Sequence, residues 1–208
     1  MTTTDNAQPE TDGRRVRSER SRAMIARAML DLVRETRAMP TMDTVADRAN
    51  VSRRSVFRHY TDTSELLSAA FEMQRVEIFS HFKPRDMSDW VEPERVRAFA
   101  QRAGRLYEYV TAVRGVAIHA RNDHPILDTL LREDDATHRS FVTAVFGYAL
   151  DPLEKAESDL LLSALISASA WTTWRGLRQD QRLTVLEARR VVEHSLLALL
   201  AFSRKSKG

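Results

Sequence analysis

Arg53, Arg54, Ser55, Arg58 and His59 fall within one short run, spaced so that one side of a helix would carry them all. Guanidinium, hydroxyl and imidazole groups gathered in this way offer hydrogen bonds and positive charge to an acceptor-rich polyanion. Val56, Phe57 and Tyr60, at i, i+1 and i+4, form the opposite, apolar side. A short helix with a packed back and a cationic, hydrogen-bonding front is what reading a DNA major groove requires. Three arginines on a short helix also describe an ordinary solvated surface, so the flanking residues decide the reading. Thr41 is placed to cap a preceding helix that holds Val45, Ala46 and Ala49 on one face. Ala49 is small enough for a second helix to cross closely, and Asn50 tolerates a left-handed backbone at the turn. Ser52 caps the second helix. Two capped helices joined by a turn of about three residues, with the charge at the start of the second, make a helix-turn-helix.

Other chemistries find little support. There is no glycine-rich phosphate loop, no G-x-S-x-G and no H-E-x-x-H, so no catalytic residues are assigned and the chain does not read as an enzyme. Histidines 59, 81, 119, 124, 138 and 194 are scattered. His119 and His124 flank a proline turn at a poor ligand spacing, so no metal site and no cofactor are expected. Asp134 and Asp135 are adjacent and would point to different sides of a helix, so they make no acid/base pair. Cysteine is absent, which rules out a disulfide scaffold and a thiolate metal site and fits a reducing cytoplasm.

Residues 18 to 66 resemble the DNA-binding domain of the tetracycline-repressor (TetR) family of bacterial regulators. Thr44-Val45-Ala46 matches the second helix of that family. Val51-Ser52-Arg53-Arg54-Ser55-Val56-Phe57-Arg58-His59-Tyr60 matches the third, and Leu66 falls where the fourth begins. The resemblance implies a homodimer on a near-palindromic double-stranded operator, with a transcription-regulating and most often repressing role. It assigns DNA contacts to Thr41, Thr44, Ser52, Arg53, Arg54, Ser55, Phe57, Arg58 and His59. Of these, Arg53, Arg54 and Ser55 stand nearest the bases, while Thr41, Thr44, Phe57 and His59 flank the phosphates. The chain departs from the family where Phe57 replaces a usual tyrosine, Thr63 a usual lysine and Asn50 a usual glycine. The tyrosine and lysine typically contact phosphate, so their loss implies weaker binding and a shallower salt dependence. Arg14 to Arg22 form a basic arm that, in the resemblance, can reach DNA.

Charge distribution agrees with this assignment. The 208 residues carry a formal charge of only +3, but residues 13–60 hold 12 arginines and lysines against 5 acids. Positive potential is thus concentrated where the helix-turn-helix sits. The length suits one large or two small domains, and 43% hydrophobic with 29% charged residues is the balance of a globular chain that can bury a core. The longest apolar run, Leu196 to Phe202, is too short to span a bilayer, and the polar N-terminus has no export signal. A cytoplasmic protein is expected.

The elements that must position the motif read as helices throughout. No segment alternates with strand period, and the six prolines lie at proposed boundaries. Residues 1–13 are too polar to bury anything and are expected to be a disordered tail. A first helix from about Ser18 to Ala38 presents Ile25, Met29, Leu32, Val33 and Thr36 as one stripe. Asp62 and Glu65 open a fourth helix that runs to about Phe82. Lys83 to Pro93 is a loop. A helix from Pro93 to about Val113 is expected to break at Gly115, with a short piece through Ala120. Another spans Pro125 to Tyr148. Asp151-Pro152-Leu153-Glu154 reads as the start of a long helix to about Arg178, and a last one covers about Thr184 to Phe202. The architecture is therefore all-α: a DNA-binding domain at 14–62, a helical effector-binding and dimerisation domain at 63–203, and a solvated tail at 204–208.

Within the second domain, Phe99, Tyr107, Val110, Phe141, Trp171 and Trp174 could line an apolar cavity for a small apolar effector. Arg114, His119 and His138 are candidate polar anchors, although aromatic residues at helical spacing also simply fill cores. Leu160 to Ala170 is apolar or small nearly all round, and a helix apolar on more than one face has two partners. The last two helices, about 152–202, could therefore pair with those of a second copy in a four-helix bundle. Two rivals remain: a ligand-independent DNA-binding protein, and a helical-bundle enzyme carrying an accidental helix-turn-helix.

Overall fold

The structure is a computed structural model that describes residues 9–83 and 85–205, with side chains described for 13–83 and 85–204. Every regular element among them is helical: α1 (Pro9–Thr36), α2 (Met42–Arg48), α3 (Arg53–His59), α4 (Thr63–His81), α5 (Glu92–Ala120), α6 (Pro125–Leu150), α7 (Lys155–Ser169), α8 (Trp171–Arg175) and α9 (Val185–Lys205), with a π-helical turn at Gly176–Asp180. The chain divides into two compact units. One comprises residues 1–79 and 112–130, and the other 80–111 and 131–208. Of the expected N-terminal tail, Pro9 to Gly13 belong to α1 and the rest lies outside the described residues.

In the first unit Ile25, Met29, Leu32 and Val33 of the α1 stripe are buried, whereas Thr36, at the end of the helix, is exposed and turns its hydroxyl back to the Leu32 carbonyl. Val45, Ala46 and Ala49 of α2, Val56 and Tyr60 around α3, and Leu66, Leu67, Ala70 and Phe71 of α4 fill the same core. Each large aliphatic side chain buried this completely contributes about 1.5–3 kcal/mol. Asn50 adopts φ 52°, the left-handed turn its side chain tolerates. Asp62 Oδ1 accepts from the Glu65 amide at 2.8 Å, and Glu65 Oε2 reaches back to the Thr61 amide at 2.7 Å. That reciprocal pair opens α4.

The second unit is built on Val96, Phe99, Ala100, Ala103 and Tyr107 of α5, Val142, Val145 and Phe146 of α6, and the packed pair α7 and α9. Leu161 and Leu165 meet the α9 stripe Ala188, Val192, Leu196 and Leu200. Thr184 and Glu187 cap α9: Thr184 Oγ1 accepts from the Glu187 amide at 3.2 Å, and Glu187 accepts from the Thr184 amide at 2.8 Å.

Four boundaries differ from the sequence reading. Helix α5 continues through Gly115 to Ala120, because one glycine lowers helix stability without supplying a competing partner for the backbone. Asp151 is not a helix cap: its amide donates back to the Gly147 carbonyl at 2.8 Å, and α7 starts only at Lys155. The helix expected to run to Arg178 is interrupted at Ala170, which is extended (φ −68°, ψ 155°). There the Tyr107 hydroxyl donates to the freed Ser169 carbonyl at 2.7 Å, and the Ser169 hydroxyl donates to the Leu165 carbonyl at 2.7 Å. Arg204, read as part of a solvated tail, pairs with Glu92 at 2.8 Å.

Candidate nucleic-acid interface

The two short helices of the motif are held by local chemistry. Thr41 Oγ1 accepts from the Thr44 amide and Ser52 Oγ from the Ser55 amide, both at 3.2 Å, so each cap satisfies one orphan donor of its helix. Both capping hydroxyls also bond the hydroxyl one turn on, Thr41 to Thr44 at 2.8 Å and Ser52 to Ser55 at 3.0 Å. Arg48 makes a two-pronged pair with Glu35, at 2.9 and 2.6 Å, that ties α2 to α1.

On α3, Val56 is fully buried while Arg53, Arg54, Phe57 and Arg58 are exposed. Arg53 is steered from two sides. Its guanidinium donates to Asp43 at 3.1 Å and lies 5.6 Å from the centre of the Phe57 ring. Arg54 and Arg58 make no ion pair with any described residue. Thr41 and Thr44 are exposed beside them at the start of α2. The structure therefore brings Thr41, Thr44, Ser52, Arg53, Arg54, Ser55, Phe57 and Arg58 onto adjoining exposed turns.

Two members of the set sit differently from their sequence reading. Phe57 does not pack into the core: it is 43% exposed, because Val56 and Tyr60 already fill the space behind α3. His59 turns inward. Its Nε2 is shielded from solvent and meets no described partner, and its carbonyl accepts from Arg22. Burial, with Arg58 and Arg22 close by, pushes the imidazole below its usual pKa. It leaves the cationic front as a result.

Arg22 carries a role the sequence reading missed. It was assigned to a basic arm, yet it crosses 4.3 Å over the Tyr60 ring, pairs with Glu65 at 2.7 Å and donates to the His59 carbonyl. Tyr60 returns a hydroxyl to the Arg22 carbonyl at 2.8 Å. Arg22, with Thr61, holds the Glu65 carboxyl down at about 2. The link fastens α1 to the end of α3 and the start of α4. Arg17, further up the arm, donates to the Gly13 carbonyl within α1.

A helix-turn-helix with capped ends, and a second helical unit built around α7 and α9, can be compared with known folds. One solved structure with this architecture is a transcriptional regulator from Rhodococcus sp. Rha1, with a TM-score of 0.66, 15% identity, and 86% of this chain aligned to 96% of that one. Another, from Mesorhizobium loti MAFF303099, is assigned to the TetR family of transcriptional regulators; its TM-score is 0.61, its identity 18%, and the alignment covers 89% of this chain and 98% of that one. The fold is the one that these two regulators share. No protein-family model and no curated protein matches the chain by sequence.

In TetR-type terms the second unit holds most of the residues read as an effector pocket, and they pack against one another. Phe99 stacks on Phe141 at 5.4 Å, and Tyr107 lies 6.2 Å from Trp174. Both indoles face into the unit: Trp171 donates to Thr111 at 3.0 Å and Trp174 to Glu108 at 2.9 Å, so neither lies on an outer face of α8. His138 is within hydrogen-bond reach of Tyr107 at 3.4 Å and of Ser169 at 3.2 Å. Val110 is buried. Arg114 and His119 fall in the first unit, where His119 is exposed and lies 2.7 Å from the Gly115 carbonyl.

Proposed function

We propose that the protein is a sequence-specific DNA-binding transcriptional regulator acting in the bacterial cytoplasm as a homodimeric repressor. The observation that carries this reading is the face of α3. Arg54 and Arg58 stand exposed, with no ion pair to any described residue, beside a steered Arg53 on a helix anchored from behind by Val56 and Tyr60. A surface helix with no polyanion partner gains little from keeping two cations uncompensated on a region already rich in arginine. The TetR-type fold and the excess of positive charge in residues 13–60 support the same reading.

In this mechanism two α3 helices, one per subunit, enter successive major grooves roughly 34–36 Å apart on a near-palindromic operator. Phosphate contacts from Thr41, Thr44 and Arg58 set the register, and Arg53, Arg54 and Ser55 discriminate bases. A small apolar effector would enter the second unit by displacing rings of the Phe99, Tyr107, Phe141 and Trp174 cluster. It would lower operator affinity only through unequal affinity for the two states. Selection of bound genomic fragments by the purified protein, then footprinting at two salt concentrations, tests the proposal. A protected near-palindrome is expected. Weak protection that ignores sequence would overturn it.

A further inference from the structure

A cleft of about 440 Å³ opens in the second unit beside α5 and α9, lined by Arg97, Arg189, Arg190, Glu193, His194 and Leu197. Three guanidinium groups and an imidazole there face one carboxylate, and that carboxylate is already engaged. Glu193 lies 3.3 Å from Arg97, and its side chain is 20% exposed. The Nε of Arg189 is shielded from solvent and donates to no described acceptor. Arg190 acts on Glu187, whose carboxylate is committed to capping α9 through the Thr184 amide and hydroxyl. Neither Arg189 nor Arg190 forms an ion pair with a described residue.

The surplus is specific in kind. A guanidinium presents a planar fork of donors matched to the two oxygens of a carboxylate or the edge of a phosphate, and its charge cannot be shed by deprotonation. A shielded N–H without an acceptor leaves a hydrogen bond unmade that an entering oxyanion would complete. Leu197 adds an apolar wall, and the volume lies in the roughly 300–1,000 Å³ range of small-molecule sites. Arg189, Glu193 and Leu197 recur every four residues along one flank of α9. The exposed apolar positions Val191 and Phe202 occupy another, so pairing through those positions would leave the cleft open.

We propose that this cleft binds a small oxyanion, with Arg189 and Arg190 as its principal donors and Leu197 accommodating a short apolar portion. The site is independent of the DNA-binding reading and differs in chemistry from an apolar effector pocket. The test is calorimetric titration of the full chain at constant ionic strength, with succinate in one arm and inorganic phosphate in the other. Saturable one-site binding in the millimolar range or tighter is expected for at least one anion, and the responding arm identifies carboxylate or phosphate as the recognised group. Arg190→Gln, at an exposed position, should weaken that binding about tenfold or more with an unchanged melting temperature, and Arg189→Gln should do at least as much. Lys155→Gln, at an exposed position on α7, should leave it unaltered. Absence of saturable binding in both arms overturns the proposal, as does wild-type affinity in Arg190→Gln; the latter holds even if Arg189→Gln fails to fold.

Discussion

Arg53 and Arg54 are neighbours in the chain but are held differently. Arg53 is aimed by Asp43 and the Phe57 ring, whereas Arg54 is free to meet a base or a phosphate. An exposed pair such as Arg53 with Asp43 contributes little stability, so its effect is orientation. Arg54→Ala should weaken operator binding by about 1–3 kcal/mol. If Arg54 reads a base, the loss will vanish at one operator position; if it touches phosphate, every sequence will weaken alike and the salt slope will fall by about one. Fluorescence anisotropy on the operator and its single-base variants separates these outcomes. The inward residues make a different prediction. His59 has a folded pKa below its unfolded value near 6.5, so its neutral form is favoured by folding. Its contribution is complete above about pH 6.5 and is lost as pH falls through the lower folded value. Glu65 is depressed from 4.5 to about 2, so the stability it gives is present above about 4.5 and disappears as pH falls towards 2. Thermal melts across pH should show two declines, with His59→Gln flattening the first and Glu65→Gln the second. The caps at Thr41 and Ser52 were legible from sequence because each acts across a single turn. The Arg22 bond to the His59 carbonyl was not, because it joins positions 37 apart.

At the scale of elements, helical periodicity identified the faces well and the interruptions poorly. Spacing gave Ile25, Met29, Leu32 and Val33 of α1 and Val192, Leu196 and Leu200 of α9 as inward, but Thr36, Val185, Leu186 and Val191 are exposed, because apolar residues on α9 occupy more than one side. The break at Ala170 left no trace in that pattern, because apolar and small residues continue on both sides of it. What sustains it is the Tyr107 hydroxyl on the Ser169 carbonyl, a contact across 62 positions. The two α5 glycines make the same point in opposite directions. A Cβ at Gly104 would stand 2.8 Å from Cη2 of Trp174, an indole that is 1% exposed and tethered to Glu108. Gly104→Ala should therefore cost about 1–3 kcal/mol, since a buried ring cannot retreat freely. A Cβ at Gly115 meets nothing within 4 Å, and the residue lies inside a helix, so Gly115→Ala should stabilise by up to about 1 kcal/mol. Urea unfolding of the two variants must move in opposite directions for this account of α5 to stand.

For the whole molecule, the proposed operator recognition by a seven-residue helix would call for more than one copy of it. A single seven-residue α3 would offer few base contacts for selecting a site among many competitors, and the TetR resemblance implies fewer phosphate contacts where Phe57 and Thr63 stand. Two copies held on one frame recover the deficit, because the second binding event becomes intramolecular. The surface proposed for that frame is on α7 and α9, where Leu160 is 73% exposed and Phe202 72%, with Val191 and Ala198 on the same stripe of α9 as Phe202. Exposed apolar area on two helices that already pack against each other is area a second copy could cover. Ala198→Arg, at an exposed position, should convert the protein to a monomer in sedimentation while its helical circular dichroism stays intact. Half-site DNA should then bind as before, and the full operator should lose affinity by a factor of about 10² or more. An Ala198→Arg protein that sediments as a monomer yet keeps full operator affinity would mean that one subunit suffices, and would place the specificity in contacts beyond α3.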